Sequence, residues 1–162
     1  MSPLDSLVER IESCSRCPLR ENATQPVPGI YLPHCKYFLI GEAPGSVEDK
    51  FGCCFIGPSG KKLDQLLAVA GIDPNQCSFD NTVKCRLPFT GTGRGKKARN
   101  PRKTEIRACV PFLWEAIKLC EPEFLVTLGS VPLSLFSEYG VRQLHGTMLE
   151  VDLDGNREKD KP

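Results

Sequence analysis

The chain has 162 residues, 40% of them hydrophobic and 25% charged, with a formal net charge of +1; that length suits about one domain, here residues 1–162, with a sizeable core. Charge so close to balance offers no global case for nucleic acid, which leaves that case to local clusters. No apolar run approaches the roughly 18 residues that cross a membrane, and the amphipathic, acid-bearing start MSPLDSLVERIES is neither a signal nor a transit peptide, which points to the cytoplasm.

Leu4, Leu7, Val8 and Ile11 recur at helical spacing and predict a first helix. It ends at Cys14-Ser-Arg-Cys17, before Pro18. Residues 20–35, rich in proline, read as an ordered loop or a wandering edge strand. The apolar run 36–40 predicts a buried strand, and a helix is expected from about Ser59, its N-cap, to Gly71. Residues 78–84 (SFDNTVK) read as a second strand and 86–103 as a basic loop. A helix follows over 106–120, with a kink or restart at Pro111. Residues 123–128 form a third strand, and Ser130 caps a short last helix. Strands alternating with helices predict an α/β fold whose parallel sheet is covered on both faces. Ligands then bind outside the carboxyl ends of the strands, where Gly41, 81–85 and Gly129 would lie. Thr147 to Leu153 alternates like a strand and Asp154-Gly155 signals a hairpin, so the chain reads as a fragment of a longer one.

The stretch Gly41 to Gly60, GEAPGSVEDKFGCCFIGPSG, is too long for a plain strand-to-helix turn. Its acids Glu42, Glu48 and Asp49 suit a general base or a held water, and Phe51 and Phe55 suit stacking on a flat ligand. Acids capping nearby amides and phenylalanines plugging the core explain the same residues, and pattern alone favours that plainer reading. Nine cysteines without a secretory signal favour metal over disulfides. Cys14 and Cys17 can reach one centre, with Cys85 and Cys109 the best distant partners. Spacing does not separate zinc from iron–sulfur, and Cys109 also fits a helix core face, as Cys120 does better. Arg86, Arg94, Lys96, Lys97, Arg99, Arg102 and Lys103 suit a phosphate backbone, or simply a solvated loop.

Five segments taken together, CSRCPLR (14–20), FLIGEAPGSVEDKFGCCFIGPSGKKLDQLL (38–67), DNTVKCRLP (80–88), RNPRKTEIRACVPFLWEAIKLCEP (99–122) and LVTLGSVPLSLF (125–136), resemble family 4 uracil-DNA glycosylases. The resemblance runs in order along nearly the whole chain. It implies a three-layer α/β/α fold with a small central parallel sheet, acting as a monomer on uracil-containing DNA in base-excision repair. It places the ligands of a [4Fe–4S] cluster on Cys14, Cys17, Cys85 and Cys109. It makes Glu42 and Glu48 the catalytic acids, with Glu48 the more important. Gly41, Ala43, Asp49, Phe55 and Asn81 would line the uracil pocket, with Phe55 stacking on the base and Asn81 reading its edge. Arg94, Lys96, Lys97 and Arg99 would meet DNA.

Two departures from the family stand out. Residues 89–98 (FTGTGRGKKA) look like an insertion, without the histidine through which a related branch traps uracil-DNA. The family also continues to an HP motif beyond the region seen here, and His145 occupies a position that tends to be arginine, so His145 is expected to be a surface residue. These departures motivate a rival expectation: an iron–sulfur DNA-binding module of the same fold with hydrolysis impaired, or a glycosylase for another deaminated base such as hypoxanthine. Zinc, or nothing, would occupy the cysteines in a preparation lacking iron.

Overall fold

The computed structural model describes residues 2–91 and 97–151. Helix α1 (Pro3–Glu12) starts where sequence chemistry demands it: the Asp5 amide donates to the Ser2 hydroxyl at 3.1 Å, and the Ser2 amide donates to the Asp5 carboxylate at 2.7 Å. Two otherwise orphaned helix donors are thereby satisfied. A single turn, α2 (Leu19–Asn22), follows Pro18.

Strands β1 (Tyr37–Gly41), β2 (Cys77–Asn81) and β5 (Phe124–Thr127) form one parallel sheet in the order β2-β1-β5. Side-chain alternation along β1 assigns the layers. Phe38 and Ile40 enter a core with Leu7 and Ile11 of α1 and with Phe112, Leu113, Ala116 and Ile117 of α5 (Lys103–Cys120). Leu39 enters the opposite core with Leu63 and Leu67 of α4 (Pro58–Ala70). Helices therefore cover both faces, giving the expected three-layer α/β/α arrangement. Phe38 is fully buried; truncating it to alanine would cost about 3–5 kcal/mol. The proline-rich approach to β1 is an ordered loop that touches the sheet edge at one antiparallel bridge, where Ile30 exchanges both backbone bonds with Phe79 at 2.8 and 2.9 Å.

Several elements differ from the sequence expectation. The long loop after β1 contains a helix, α3 (Ser46–Phe51), closed by Gly52 in the left-handed region at φ 71°. Helix α4 begins at Pro58 with Gly57 as its N-cap, two residues earlier than the expected Ser59. Proline is favoured at a first helical position because the N–H it lacks has no partner there. Helix α5 runs unbroken through Pro111; that proline is exposed, so water can take the carbonyl left without a donor. β2 stops at Asn81, and 82–85 bend away toward α5. Phe89–Thr90 (β3) pair antiparallel with Lys97–Ala98 (β4), so the basic stretch is in part a short ribbon. Residues 147–151 form no strand, and the hairpin at Asp154-Gly155 lies outside the described residues. Two short helices, α6 (Ser130–Leu133) and α7 (Val141–Leu144), end the described fold. No helix of the described residues is long and apolar enough to cross a membrane.

Candidate active site and thiol centre

β1 and β2 end side by side, with Gly41 in register with Asn81. The amide and hydroxyl of Thr82 both donate to the Gly41 carbonyl, at 2.8 and 2.9 Å, and the Val83 amide donates to the Glu42 carbonyl at 3.1 Å. The chain leaving β2 is thus fastened to the start of the glycine loop. A Cβ on Gly41 would stand 2.5 Å from Asn81 Oδ1 and 2.9 Å from the Phe55 ring. Only glycine leaves room for these two side chains to approach the strand end together.

Phe55 adopts the left-handed region at φ 56°, costly for a bulky residue. Its position is imposed by α4: Gly60 packs so closely on the Phe55 carbonyl that a Cβ there would overlap it. The ring lies 5.9 Å from that of Phe79, tilted by 53°, and stays only partly buried. Asn81 is buried, yet its side-chain amide donates and accepts no hydrogen bond among the described residues. No buried side-chain nitrogen or oxygen there lacks a partner, so the amide keeps an opening to solvent and to a ligand.

The three loop acids have different surroundings. Glu48 is 6% exposed and accepts the Gly57 amide at 2.8 Å, while a Cβ on Gly45 would stand 2.7 Å from its other oxygen. It ties the two ends of the loop together. Asp49 accepts the Thr24 amide and hydroxyl, each at 2.8 Å, and the Arg86 guanidinium at 3.0 Å. The uracil contact expected of Asp49 therefore meets a carboxylate engaged on both oxygens. Glu42 is the free one: half-buried, without a side-chain hydrogen bond or ion pair among the described residues, and with its pKa raised by burial. Ala43 packs beside the main core.

Cys14, Cys17, Cys85 and Cys109 line one cavity, together with Leu19, Pro26, Ala108 and the cations Arg16, Arg20 and Lys84. The fold brings together residues from before α2, from the bend after β2 and from the first half of α5. The Lys84 amide donates to Cys109 Sγ at 3.2 Å. Burial pushes the Cys85 thiol up to about 12 and the Cys109 thiol to about 11, so both are protonated at neutral pH unless a metal displaces the proton. Among the described residues no three His, Cys, Asp or Glu are gathered as a ready site for one metal ion. Cys120 is a core residue, accepting the Ser78 hydroxyl at 3.7 Å; Cys35, Cys54 and Cys77 are also buried away from the cavity.

Arg99 is held by Glu105, with its two terminal nitrogens 2.8 and 2.6 Å from the carboxylate oxygens. Glu105 also accepts the Arg102 amide at 2.7 Å, which starts α5. Arg94 and Lys96 lie outside the described residues, and of Lys97 only the backbone is described. His145 is exposed at the end of α7, as expected. Missed in the sequence were Thr24, the ion pair of Arg86 with Asp49 and the buried pair Asp80–Lys84.

The sequence profile described as the Uracil DNA glycosylase superfamily matches residues 28–157. The chain is 38% identical over 130 residues to a Type-4 uracil-DNA glycosylase of Sulfurisphaera tokodaii, covering 80% of this chain and 56% of that protein. It is 35% identical over 133 residues to one of Thermotoga maritima, covering 82% and 65%. A third, from Pyrobaculum aerophilum, is 32% identical over 135 residues, covering 83% and 65%. The chain thus spans 56 to 65% of the length of these curated relatives. With the profile match covering most of its length and the strand ends arranged as described, the chain belongs to the uracil-DNA glycosylase superfamily.

Proposed function

We propose that this chain hydrolyses the N-glycosidic bond of uracil turned out of DNA, the first step of base-excision repair. The observation that carries the reading is the convergence of Gly41, Phe55 and Asn81 on one strand end, with the Asn81 amide unpaired. Turning a nucleotide out of the helix costs a few kcal/mol, which a snug pocket recovers by stacking and hydrogen bonds. Phe55 supplies the flat face. The Asn81 amide supplies one donor and one acceptor, a pair that fits the O4 and N3–H of uracil and mismatches the amine of cytosine.

As the bond breaks, negative charge grows on uracil and positive charge on the sugar. Backbone amides of the glycine loop would meet the first. Glu42, free and half-buried at the loop's start, orients the water that adds to the sugar. Glu48 serves that chemistry indirectly, by holding the loop closed through Gly57. Asp49 ties the same loop to Thr24 and Arg86, behind the pocket wall.

The four-thiol cavity supports a [4Fe–4S] cluster on Cys14, Cys17, Cys85 and Cys109, with Arg16 and Arg20 offsetting the thiolate charge. Such a cluster would be structural, clamping the N-terminal segment to the chain after β2. Binding to DNA falls to basic side chains of the 86–103 stretch, among which Arg99 acts by anchoring that stretch to α5. The test is release of free uracil from a single-stranded oligonucleotide carrying one deoxyuridine. Release that falls sharply but stays measurable in Asn81→Ala is the expected result; a metal-loaded protein that releases none sinks the reading.

A further inference from the structure

Lys84 is 1% exposed and carries its charge into the core beside the site. Its ammonium donates to Asp80 Oδ2 and to the Asn81 carbonyl, each at 2.7 Å. The other Asp80 oxygen accepts the Asn81 amide at 2.7 Å, and the Tyr31 hydroxyl donates to Asp80 Oδ2 at 3.0 Å. Both backbone polar groups of Asn81 are therefore gripped by one buried ion pair. On its other side, Lys84 is tied to the thiol cavity, since its own amide donates to Cys109 Sγ at 3.2 Å. The Val27 amide donates to the Lys84 carbonyl at 2.7 Å, which holds the bend from a third direction.

We propose that Lys84 is a positioning residue for base recognition, fixing the Asn81 backbone from the wall of the four-thiol cavity so that the Asn81 amide is presented to the base. A simple stabilising ion pair would need no bond to Asn81; here the lysine spends one of its donors on that carbonyl. The inference rests on the glycosylase reading for its kinetic consequence, and on the geometry alone for its structural one.

The test uses the double variant Asp80→Asn, Lys84→Met, which removes both buried charges together and leaves an acceptor for the Asn81 amide. Hydrogen exchange of the peptide containing Asn81 is expected to quicken by about tenfold or more, as fits loss of a charge-assisted hydrogen bond. Uracil excision is expected to fall by a similar factor in kcat with little change in KM. Adding these changes to Asn81→Ala should cause no further loss, because both act through one side chain. Unchanged exchange, or losses that multiply with Asn81→Ala, overturns the proposal. Lys84→Met alone, read by the same exchange measurement wherever it folds, gives an independent arm with the same two outcomes. Should the parent chain release no uracil, the glycosylase reading fails, while the exchange measurement still decides the role of Lys84.

Discussion

Gly41 and Asn81 are register partners on adjacent strands, and a Cβ on the first would stand 2.5 Å from the side-chain oxygen of the second. The glycine is what lets the asparagine amide lie against the strand end. In Gly41→Ala the Asn81 amide and the Phe55 ring must both move. Since placement by a fraction of an ångström governs reaction in such a site, kcat/KM for uracil release is expected to drop by roughly tenfold to a hundredfold. Steady-state kinetics on a deoxyuridine oligonucleotide checks this, with circular dichroism to show the fold retained.

Glu48→Ala would leave the Gly57 amide without its acceptor at a buried position. The expected loss of stability is about 1–3 kcal/mol, seen as a lower midpoint in urea. Glu48→Gln keeps an acceptor oxygen and should stay close to the parent. If activity follows stability across the two variants, the loop-closing role stands; an inactive but fully stable Glu48→Gln would instead make the carboxylate itself catalytic.

The acid limb of the pH–rate profile should follow Glu42. Burial raises its pKa above the ordinary glutamate range, and water is activated by the ionised form, so the rate should climb with pH through that raised value. Glu42→Gln should flatten the limb as well as lower the rate. Stability runs the other way. The folded state holds this proton to higher pH than the unfolded chain does, so nothing is lost below the unfolded pKa, and stability falls as pH rises through the folded one. Glu42→Gln is therefore expected to unfold at a slightly higher temperature than the parent at neutral pH.

Glu105 shows the opposite sign. Its bond to the Arg99 guanidinium holds the carboxyl below the usual range, so the contribution is present above the unfolded pKa and lost as pH falls through the folded one. Arg99→Ala leaves a buried carboxylate unpaired and should cost about 3 kcal/mol, the lower end for a broken buried pair because Arg99 is partly exposed. Denaturant unfolding at neutral and acid pH measures this; the difference between variant and parent should shrink on acidification.

Replacing Cys14, Cys17, Cys85 or Cys109 singly by serine should release iron and bleach the visible absorption, whereas Cys35→Ser, Cys53→Ser and Cys120→Ser should retain both. Iron per chain after anaerobic purification reports the outcome. Retention in Cys109→Ser would remove it from the ligand set and return it to the core face of α5.

Apolar runs and helical spacings were enough to place three strands and the helices α1, α4, α5 and α6, because burial on one face or stripe is a local property of the sequence. The order β2-β1-β5 and the meeting of Gly41, Phe55 and Asn81 at one strand end were not local. Gly41, Phe55 and Asn81 are far apart along the chain, and only crossover packing of α4 brings Phe55, in a strained conformation, against the strand end. The acids Glu42, Glu48 and Asp49 illustrate the division. Their residue type and spacing follow from the sequence, and made all three equal candidates. Which is free and which is tied depends on Gly57, Thr24 and Arg86, partners that arrive by tertiary folding. The same holds for Lys84, which the sequence places only at the end of the expected strand 78–84. Its buried place follows from the bend after Asn81, which turns the ammonium inward to the buried carboxylate of Asp80 that compensates it.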